Sequence, residues 1–149
     1  MKIKPLIVAS AAVMLAQFVG CRAELDWQEG HDLGVAALEA GDVETAREHL
    51  AASSTRADAL GESHLFFEKS MVSLARAQEA AGMLSDAERN YRRAYVVREA
   101  RVGAESQELT EILVPLADVC EAQGKSTVAA NMRQHVFAQQ GETELPSTD

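Results

Sequence analysis

The sequence is poor in several residue types, and each shortage excludes a class of protein. Only 5% of its 149 residues are aromatic. Only two are cysteine, so a network of disulfide bonds cannot hold the fold together. Basic residues number 14 against 23 acidic ones. The resulting net charge of −9 argues against a nucleic-acid surface, because phosphate contacts require clustered lysine and arginine. The length suits one domain with a short appendage and excludes a second large domain.

The residues that are abundant favour helix. Proline occurs three times and glycine nine times, whereas alanine occurs 26 times. Alanine has the highest helix propensity, and the β-branched residues that favour strands are scattered along the chain. The composition therefore predicts an all-α protein.

The N-terminus has the pattern of a secretory signal. Lys2 and Lys4 precede an apolar run at residues 6–19, and no acidic residue interrupts them. A transmembrane helix needs about 20 apolar residues, so this run is too short for a comfortable permanent anchor. We therefore expect the segment to be cleaved.

The residues after this run resemble a bacterial lipobox. Gly20 and Cys21 stand where such a motif has its small residue and its lipidated cysteine. The resemblance implies removal of residues 1–20, a lipid on Cys21, and residues 21–26 as a tether. It also implies the bacterial cell envelope, at the periplasmic face of the outer membrane, because Arg22 rather than aspartate follows the cysteine.

An ordinary secreted protein is the alternative. In that case Cys21 would pair with Cys120 or with another chain. If Cys21 carries lipid instead, Cys120 remains a single thiol in an oxidising compartment, which requires that it be buried.

Four columns of residues recur at intervals of 41 and 42 residues, which indicates an internal repeat. They are Leu33, Leu74 and Leu116; Gly34, Ala75 and Ala117; Gly41, Gly82 and Gly124; and Ala46, Ala87 and Ala129. The small residues of the second column allow two helices to approach closely, and the glycines of the third end a helix. Each unit is therefore predicted to be a helical hairpin, at residues 27–60, 66–101 and 107–139.

Three single positions and one short run carry local predictions. The run from Ser85 to Glu88 has the form of a capping box at the start of a helix. Pro115 lies within a helical pattern and predicts a kink or a late helix start. Trp27 is predicted to be a core or cap anchor, and Cys120 a small apolar filler.

The repeat resembles the tetratricopeptide repeat (TPR), in the 42-residue form found in kinesin light chains. The residues that carry the resemblance are Leu74-Ala75, Gly82, Ala87-Glu88, Tyr91-Arg92-Arg93-Ala94, Arg98-Glu99 and Val102-Gly103. It covers residues 27–139 and implies a right-handed superhelical stack of three TPR hairpins. Arg133 stands at the Tyr91 position of the last unit, which predicts a solvated terminal repeat. Residues 140–149 follow as a tail predicted to be disordered.

No arrangement of residues in the sequence indicates catalysis. The histidines His31, His49, His64 and His135 lie in different parts of the repeat, without metal-ligand spacing. There is no glycine-rich phosphate loop and no nucleophile elbow. We therefore expect a protein that is not an enzyme and uses no cofactor or metal.

Binding remains, and the TPR resemblance implies that the first helix of each hairpin, the A helix, lines a concave groove. The groove positions are Gln28, His31, Val35 and Leu38; Lys69, Val72, Arg76 and Glu79; and Glu111, Val114, Asp118 and Glu121. Lys69 and Arg76 are the only lysine and arginine among them, and they favour a partner protein that offers carboxylates. The alternative is that they neutralise acidic residues of the groove itself.

The arginines of the second hairpin's B helix are predicted to form a salt-bridged convex surface, with a docking patch for an acidic partner as the alternative. They are Arg89, Arg92, Arg93, Arg98 and Arg101. Two functions follow for the whole protein. One is a membrane-tethered adaptor that holds a protein partner in its groove, and the other is a structural subunit of an envelope assembly that contacts its neighbours through the repeat ends.

Overall fold

A computed structural model describes residues 26–61 and 65–140 of the chain, and these residues form six α-helices paired as three hairpins. The first hairpin contains α1, at residues 26–39, and α2, Val43–Leu60. The second contains α3, Leu65–Ala80, and α4, Leu84–Val102. In the third, a 3₁₀ helix at Gln107–Leu109 leads into α5, Thr110–Ala122, which is followed by α6, Ser126–Gln140. The predicted all-α fold of three TPR-like hairpins is confirmed.

Predictions that concern the ends of the chain lie outside the described residues. They include the signal at residues 1–20, the lipid on Cys21 and the tail that follows Gln140. Within the described ranges, no helix is both long enough and apolar enough to cross a bilayer.

One continuous core runs through all three hairpins. Its fully or almost fully buried members come from every helix and include Trp27, Ala57, Phe67, Tyr91, Ile112 and Ala129. Trp27 is 3% exposed and its indole N–H donates to the Ser70 hydroxyl at 2.6 Å, so it anchors α1 on α3 as predicted. Cys120 is completely buried in the same core, which confirms its prediction as a filler.

The repeated small residues lie where helices touch. A Cβ added to Gly34 would lie 2.6 Å from Cγ of Leu50 on α2, closer than any real carbon contact. Ala75 and Ala117, at the same position of the later hairpins, are both fully buried. The close helix approach inferred from the sequence is therefore present in all three units.

The repeated glycines end the A helices in the left-handed conformation. Gly41, Gly82 and Gly124 have φ angles of 80°, 73° and 76°, and a Cβ at any of them would meet nothing within 4 Å. The positions are therefore restricted to glycine by the backbone and not by space.

Replacing Gly82 with alanine should therefore lower the free energy of unfolding by about 1 to 2 kcal/mol, the cost of a left-handed L-residue. Gly82→Asn should lose less, because asparagine tolerates this conformation better. Urea unfolding of both variants measures the difference. Equal losses would show that the strain does not arise from the backbone.

Two local predictions have different outcomes. The capping box at Ser85 and Glu88 is wrong: α4 begins at Leu84, its N-cap residue Met83 makes no side-chain cap, and Glu88 binds residues of the third hairpin instead. In contrast, α5 begins at Thr110, three residues after the predicted start of that hairpin, and continues past Pro115. Pro115 therefore lies in the interior of α5 and does not set its start, and the predicted kink stays a prediction.

Candidate functional site

The groove positions predicted on the A helices are all accessible. Each of the twelve residues is exposed or half-buried, and none belongs to the buried core. We call these twelve residues the A-helix face. The exposed members on α3 and α5 include Lys69, Arg76, Glu111 and Asp118, whereas Val72 and Glu79 are half-buried.

Polar contacts connect α1 with α3 at this face. Nε2 of His31 lies 2.9 Å from the Ser73 hydroxyl, and the His31 ring stacks on Trp27 with 4.8 Å between ring centroids. Burial lowers the pKa of His31, although the nearby Asp32 opposes this effect. The lowered pKa favours the neutral imidazole, which serves here as a positioned polar group.

All four carboxylates of the A-helix face are bound within the chain. The Tyr91 hydroxyl donates to Glu79 at 3.1 Å, and Arg98 pairs with Glu111 at 2.7 Å. Arg133 pairs with Asp118 at 2.9 Å and with Glu121 at 3.3 Å. These partners come from the B helices α4 and α6. The arginines neutralise Glu111, Asp118 and Glu121, whereas Glu79 accepts from a hydroxyl that carries no charge.

The two cations of the face have no charged partner among the described residues. Arg76 approaches the Tyr91 hydroxyl, and Lys69 acts on His31 only through its charge. Neither forms an ion pair with an acid anywhere in residues 26–61 and 65–140. Of the acids that they were expected to neutralise, Glu111 and Asp118 pair with Arg98 and Arg133 instead. Glu79 forms no ion pair in these ranges, and Arg76 approaches the same Tyr91 hydroxyl that donates to it, so the alternative stays open at Glu79.

The predicted salt-bridged surface on α4 is present, with one difference. Arg89 pairs with Asp86 and Arg93 with Asp58, in exposed or half-exposed pairs. Arg98 is instead almost buried, with a side chain 13% exposed, and it lies 2.5 Å from a Glu68 carboxylate that is 3% exposed. Glu68 is on α3, so this pair belongs to the interior of the second hairpin.

Glu68 was not singled out by its sequence pattern. It also accepts from Arg101 at 3.3 Å, and Arg98 continues from it to Glu111 and to the Glu108 carbonyl oxygen. The network therefore joins α3, α4 and the start of the third hairpin. In the sequence, the only indication of this network is the Arg98-Glu99 pair of the TPR resemblance. That pair does not identify the residue that Arg98 binds.

A second carboxylate joins the second hairpin to the third. Glu88 accepts from Lys125 at 2.5 Å, from Gln123 at 2.9 Å and from Arg92 at 3.0 Å. The hydrogen bond from Lys125, aided by those from Arg92 and Gln123, lowers the pKa of Glu88 from 4.5 to about 2, against the opposing effect of burial. Protonation of Glu88 would therefore weaken the contact between these hairpins.

This shift predicts a pH dependence of stability. Because the folded-state pKa of Glu88 is below its ordinary value, its contribution is complete above pH 4.5 and is lost as the pH falls from 4.5 towards 2. Glu88→Gln should therefore reduce the dependence of unfolding free energy on pH in that window. Asp86→Asn, which affects only an exposed pair with Arg89, is the control. Equal slopes for wild type and Glu88→Gln would contradict the assignment.

Among the residues that the structure describes, no three histidine, cysteine, aspartate or glutamate side chains are grouped so that they could hold a metal ion. The candidate binding sites of this structure are surfaces formed by the exposed side chains of packed helices.

Solved structures with the same architecture come from a fungal protein. The crystal structure of the nearly identical TPR-like repeats of a Podosopora anserina putative kinesin light chain matches with a TM-score of 0.67 and 23% identity, over 81% of this chain and 58% of that one. Its Q17M variant matches with a TM-score of 0.68 and 23% identity, over 81% of this chain and 57% of that one. The matched region therefore spans less than two thirds of those chains.

No protein-family model and no curated protein sequence matches the chain. At 23% identity the likeness to the solved structures establishes the fold alone. That fold is a TPR-like repeat of three helical hairpins, similar to kinesin light chain repeats.

Proposed function

We propose that the protein is a non-enzymatic interaction module that binds a segment of a partner protein along the A-helix face. The observation that carries this proposal is the contrast in pairing on that face. Its four acids are bound within the chain, whereas Lys69 and Arg76 make no ion pair in the described ranges. Three of the four acids are neutralised by arginines, and exposed cations on such a surface favour a ligand that supplies carboxylates.

The spacing of the two cations suits a segment that lies across α3. Lys69 and Arg76 are seven residues apart, which places them two turns apart on one side of the helix. Val72, half-buried between them, offers an apolar contact. The loss of one desolvated cation–carboxylate contact should weaken binding by about 1 to 3 kcal/mol.

We further propose that the module is tethered to a membrane through lipid on Cys21, in the bacterial envelope and on the periplasmic face of the outer membrane. The sequence supports this through Lys2 and Lys4, the apolar run at residues 6–19 and the Gly20-Cys21 pair. Mass spectrometry of the membrane fraction should find an acylated N-terminus at Cys21. A soluble form that begins at another residue would overturn the tether.

Capture of the partner tests the main proposal. The intact protein is isolated from detergent-solubilised membranes after photo-crosslinking from a probe at Val72 on the A-helix face. A matched probe replaces Ala51, which is exposed on the B helix α2. We expect one partner to crosslink from Val72 and not from Ala51. Crosslinks to the same partner only from Ala51 would contradict binding at the A-helix face.

A second candidate function, a structural subunit, is supported by apolar residues at both ends of the described stack. Leu33 on α1 is 50% exposed, although its counterparts Leu74 and Leu116 are buried, and Phe137 on α6 is 54% exposed. Under this proposal neighbouring subunits cover these end helices. Leu33→Glu with Phe137→Glu should then disrupt the assembly, while Lys69→Glu with Arg76→Glu leaves it intact.

A further inference from the structure

The outer surface of α6 differs from that of the other two B helices because it carries no charge. Every exposed residue of α6 between positions 126 and 138 is uncharged, and the half-buried Arg133 pairs with acids of α5. In contrast, the exposed residues of α2 and α4 include Glu48 and Arg89. The last helix of a repeat stack needs a polar outer face when water covers it. An uncharged face is better suited to contact with another helix.

The repeat register shows which side of α6 is open. Positions of α4 that contact the third hairpin recur in α6 after 42 residues, and no further hairpin follows in the part of the chain that the structure describes. Tyr95 packs against core residues of the third hairpin, and its counterpart Phe137 is 54% exposed. Glu88 bonds to residues of the same hairpin, and its counterpart Ala130 is also exposed. Phe137 and Ala130 therefore lie where a following helix would pack.

Four residues on this open side form one row along α6. They are Thr127, Ala130, Gln134 and Phe137, and all four are exposed. We call this row the α6 seam. Intervals of three, four and three residues are those of a coiled-coil contact, and they place the row on one side of the helix over about three turns. The intervals are the same in both directions, so the seam can pack antiparallel on a copy of itself.

An antiparallel copy of the seam pairs large side chains with smaller ones. When the two helices cross midway along the seam, Phe137 of each copy lies opposite Thr127 of the other, and Gln134 lies opposite Ala130. No charged residue of the seam meets its own copy. The contact therefore brings no like-charge repulsion at the seam, although each chain has a formal charge of −9.

The opposite end of the described stack does not suit the α6 seam. Leu33 is 50% exposed on α1, but the exposed acids Glu29 and Asp32 flank it. Glu29 lies one turn before Leu33 on the same side of the helix. A head-to-tail contact would bury this carboxylate against a seam that offers no cation, which is costly. The difference in charge between the two ends therefore favours contact of α6 with a second α6.

We propose that the α6 seam packs against the same seam of a second copy of this chain, as an antiparallel helix pair related by a two-fold axis. The inference rests on the second candidate function, in which the end helices are covered, and it names what covers α6. The symmetry closes the assembly at a dimer. One pair of short helices buries less surface than a standard protein interface, so the dimer should form weakly and reversibly.

A photo-crosslinking probe at Thr127 of the full chain locates the contact and leaves Phe137 in place. We expect a covalent dimer whose crosslink maps to the residues around Phe137. Thr127 and Phe137 of one chain are about 15 Å apart along α6, so this crosslink identifies a second copy. Crosslinks to α1 of a second copy would show head-to-tail stacking and overturn the proposal. Crosslinks to residues 141–149 of the same chain, without a dimer, would also overturn it.

Matched substitutions at the two ends test the energetics in analytical ultracentrifugation of the full chain in detergent. Phe137→Glu should raise the dissociation constant of the dimer at least about tenfold, because it places two carboxylates in the contact. Leu33→Glu makes the same change at a similarly exposed residue of α1 and should leave that constant unchanged. Ala130→Glu is the second seam variant if Phe137→Glu lowers the melting temperature. A monomeric wild type, or equal effects at both ends, would overturn the proposal.

Failure of this inference differs from failure of the second candidate function. If the wild-type chain is monomeric and Phe137→Glu still disrupts an assembly with other proteins, the structural-subunit function holds and the two-fold contact is wrong. If the dimer forms through the seam and Leu33→Glu with Phe137→Glu leaves that assembly intact, the two-fold contact holds and the structural-subunit function is wrong.

Discussion

Replacement of Arg98 by alanine should lower the free energy of unfolding by about 3 to 5 kcal/mol. The substitution leaves the Glu68 carboxylate, 3% exposed, without its closest partner at 2.5 Å. Arg101 remains at 3.3 Å, but its side chain is half-exposed and bonds one carboxylate oxygen only. A buried charge that loses most of its compensation is costly, because burial removes its hydration and the contact with Arg101 replaces only part of it. Chemical denaturation at pH 7 measures the loss.

Arg89→Ala is the matched control for this prediction. Arg89 lies on the same helix and pairs with Asp86 at 2.8 Å, but its side chain is 65% exposed. Pairs of this kind contribute about 0.3 to 0.5 kcal/mol, so the variant should be almost as stable as wild type. If both variants lost a similar amount of unfolding free energy, the Arg98–Glu68 ion pair would contribute no more than an exposed pair, which would contradict the prediction.

The second large effect is expected at Tyr91. Tyr91 is completely buried in the core shared by the three hairpins, and its hydroxyl reaches Glu79 on the A-helix face. Tyr91→Ala should cost about 3 to 5 kcal/mol through the cavity it leaves. Tyr91→Phe keeps the ring and loses only the hydrogen bond, so it should cost about 1 kcal/mol.

Denaturant unfolding of both Tyr91 variants separates packing from hydrogen bonding. The expected order is a large loss for alanine and a small loss for phenylalanine. If phenylalanine is as damaging as alanine, the contact with Glu79 and not the packing of the ring holds the second hairpin together.

The features that the sequence predicted are those decided by a residue's own backbone or by its place in the repeat. Gly82 ends α3 because only a residue without Cβ adopts its φ of 73° without strain, and that requirement is visible in a single sequence. Gly34 and Ala75 are small because a neighbouring helix lies against them, and the 41-residue interval between them indicates this.

The features that were missed depend on residues far apart in the chain. Glu88 appeared to close a capping box three residues from Ser85, but its strongest partner is Lys125, 37 residues away. Glu68 and Arg98 are 30 residues apart and meet only because α3 and α4 pack side by side. Such pairs depend on the register of one helix against another, which periodicity predicts only to within a turn.

The same limit applies to the candidate sites. The positions that the sequence assigned to the A-helix face are accessible, because helical spacing alone decides which residues share a side. The sequence did not show that Arg98 and Arg133 would bind Glu111 and Asp118.

The central claim is that Lys69 and Arg76 bind carboxylates of a partner at the A-helix face. The most direct test is the dissociation constant of the captured partner for wild type and for the double variant Lys69→Glu with Arg76→Glu. The control is Arg47→Glu with Arg56→Glu, which changes the net charge equally on the B helix α2. If melting temperatures are unchanged, we predict that the A-helix variant binds at least about tenfold more weakly and that the control binds like wild type. Equal affinity of the double variant and wild type would contradict the account.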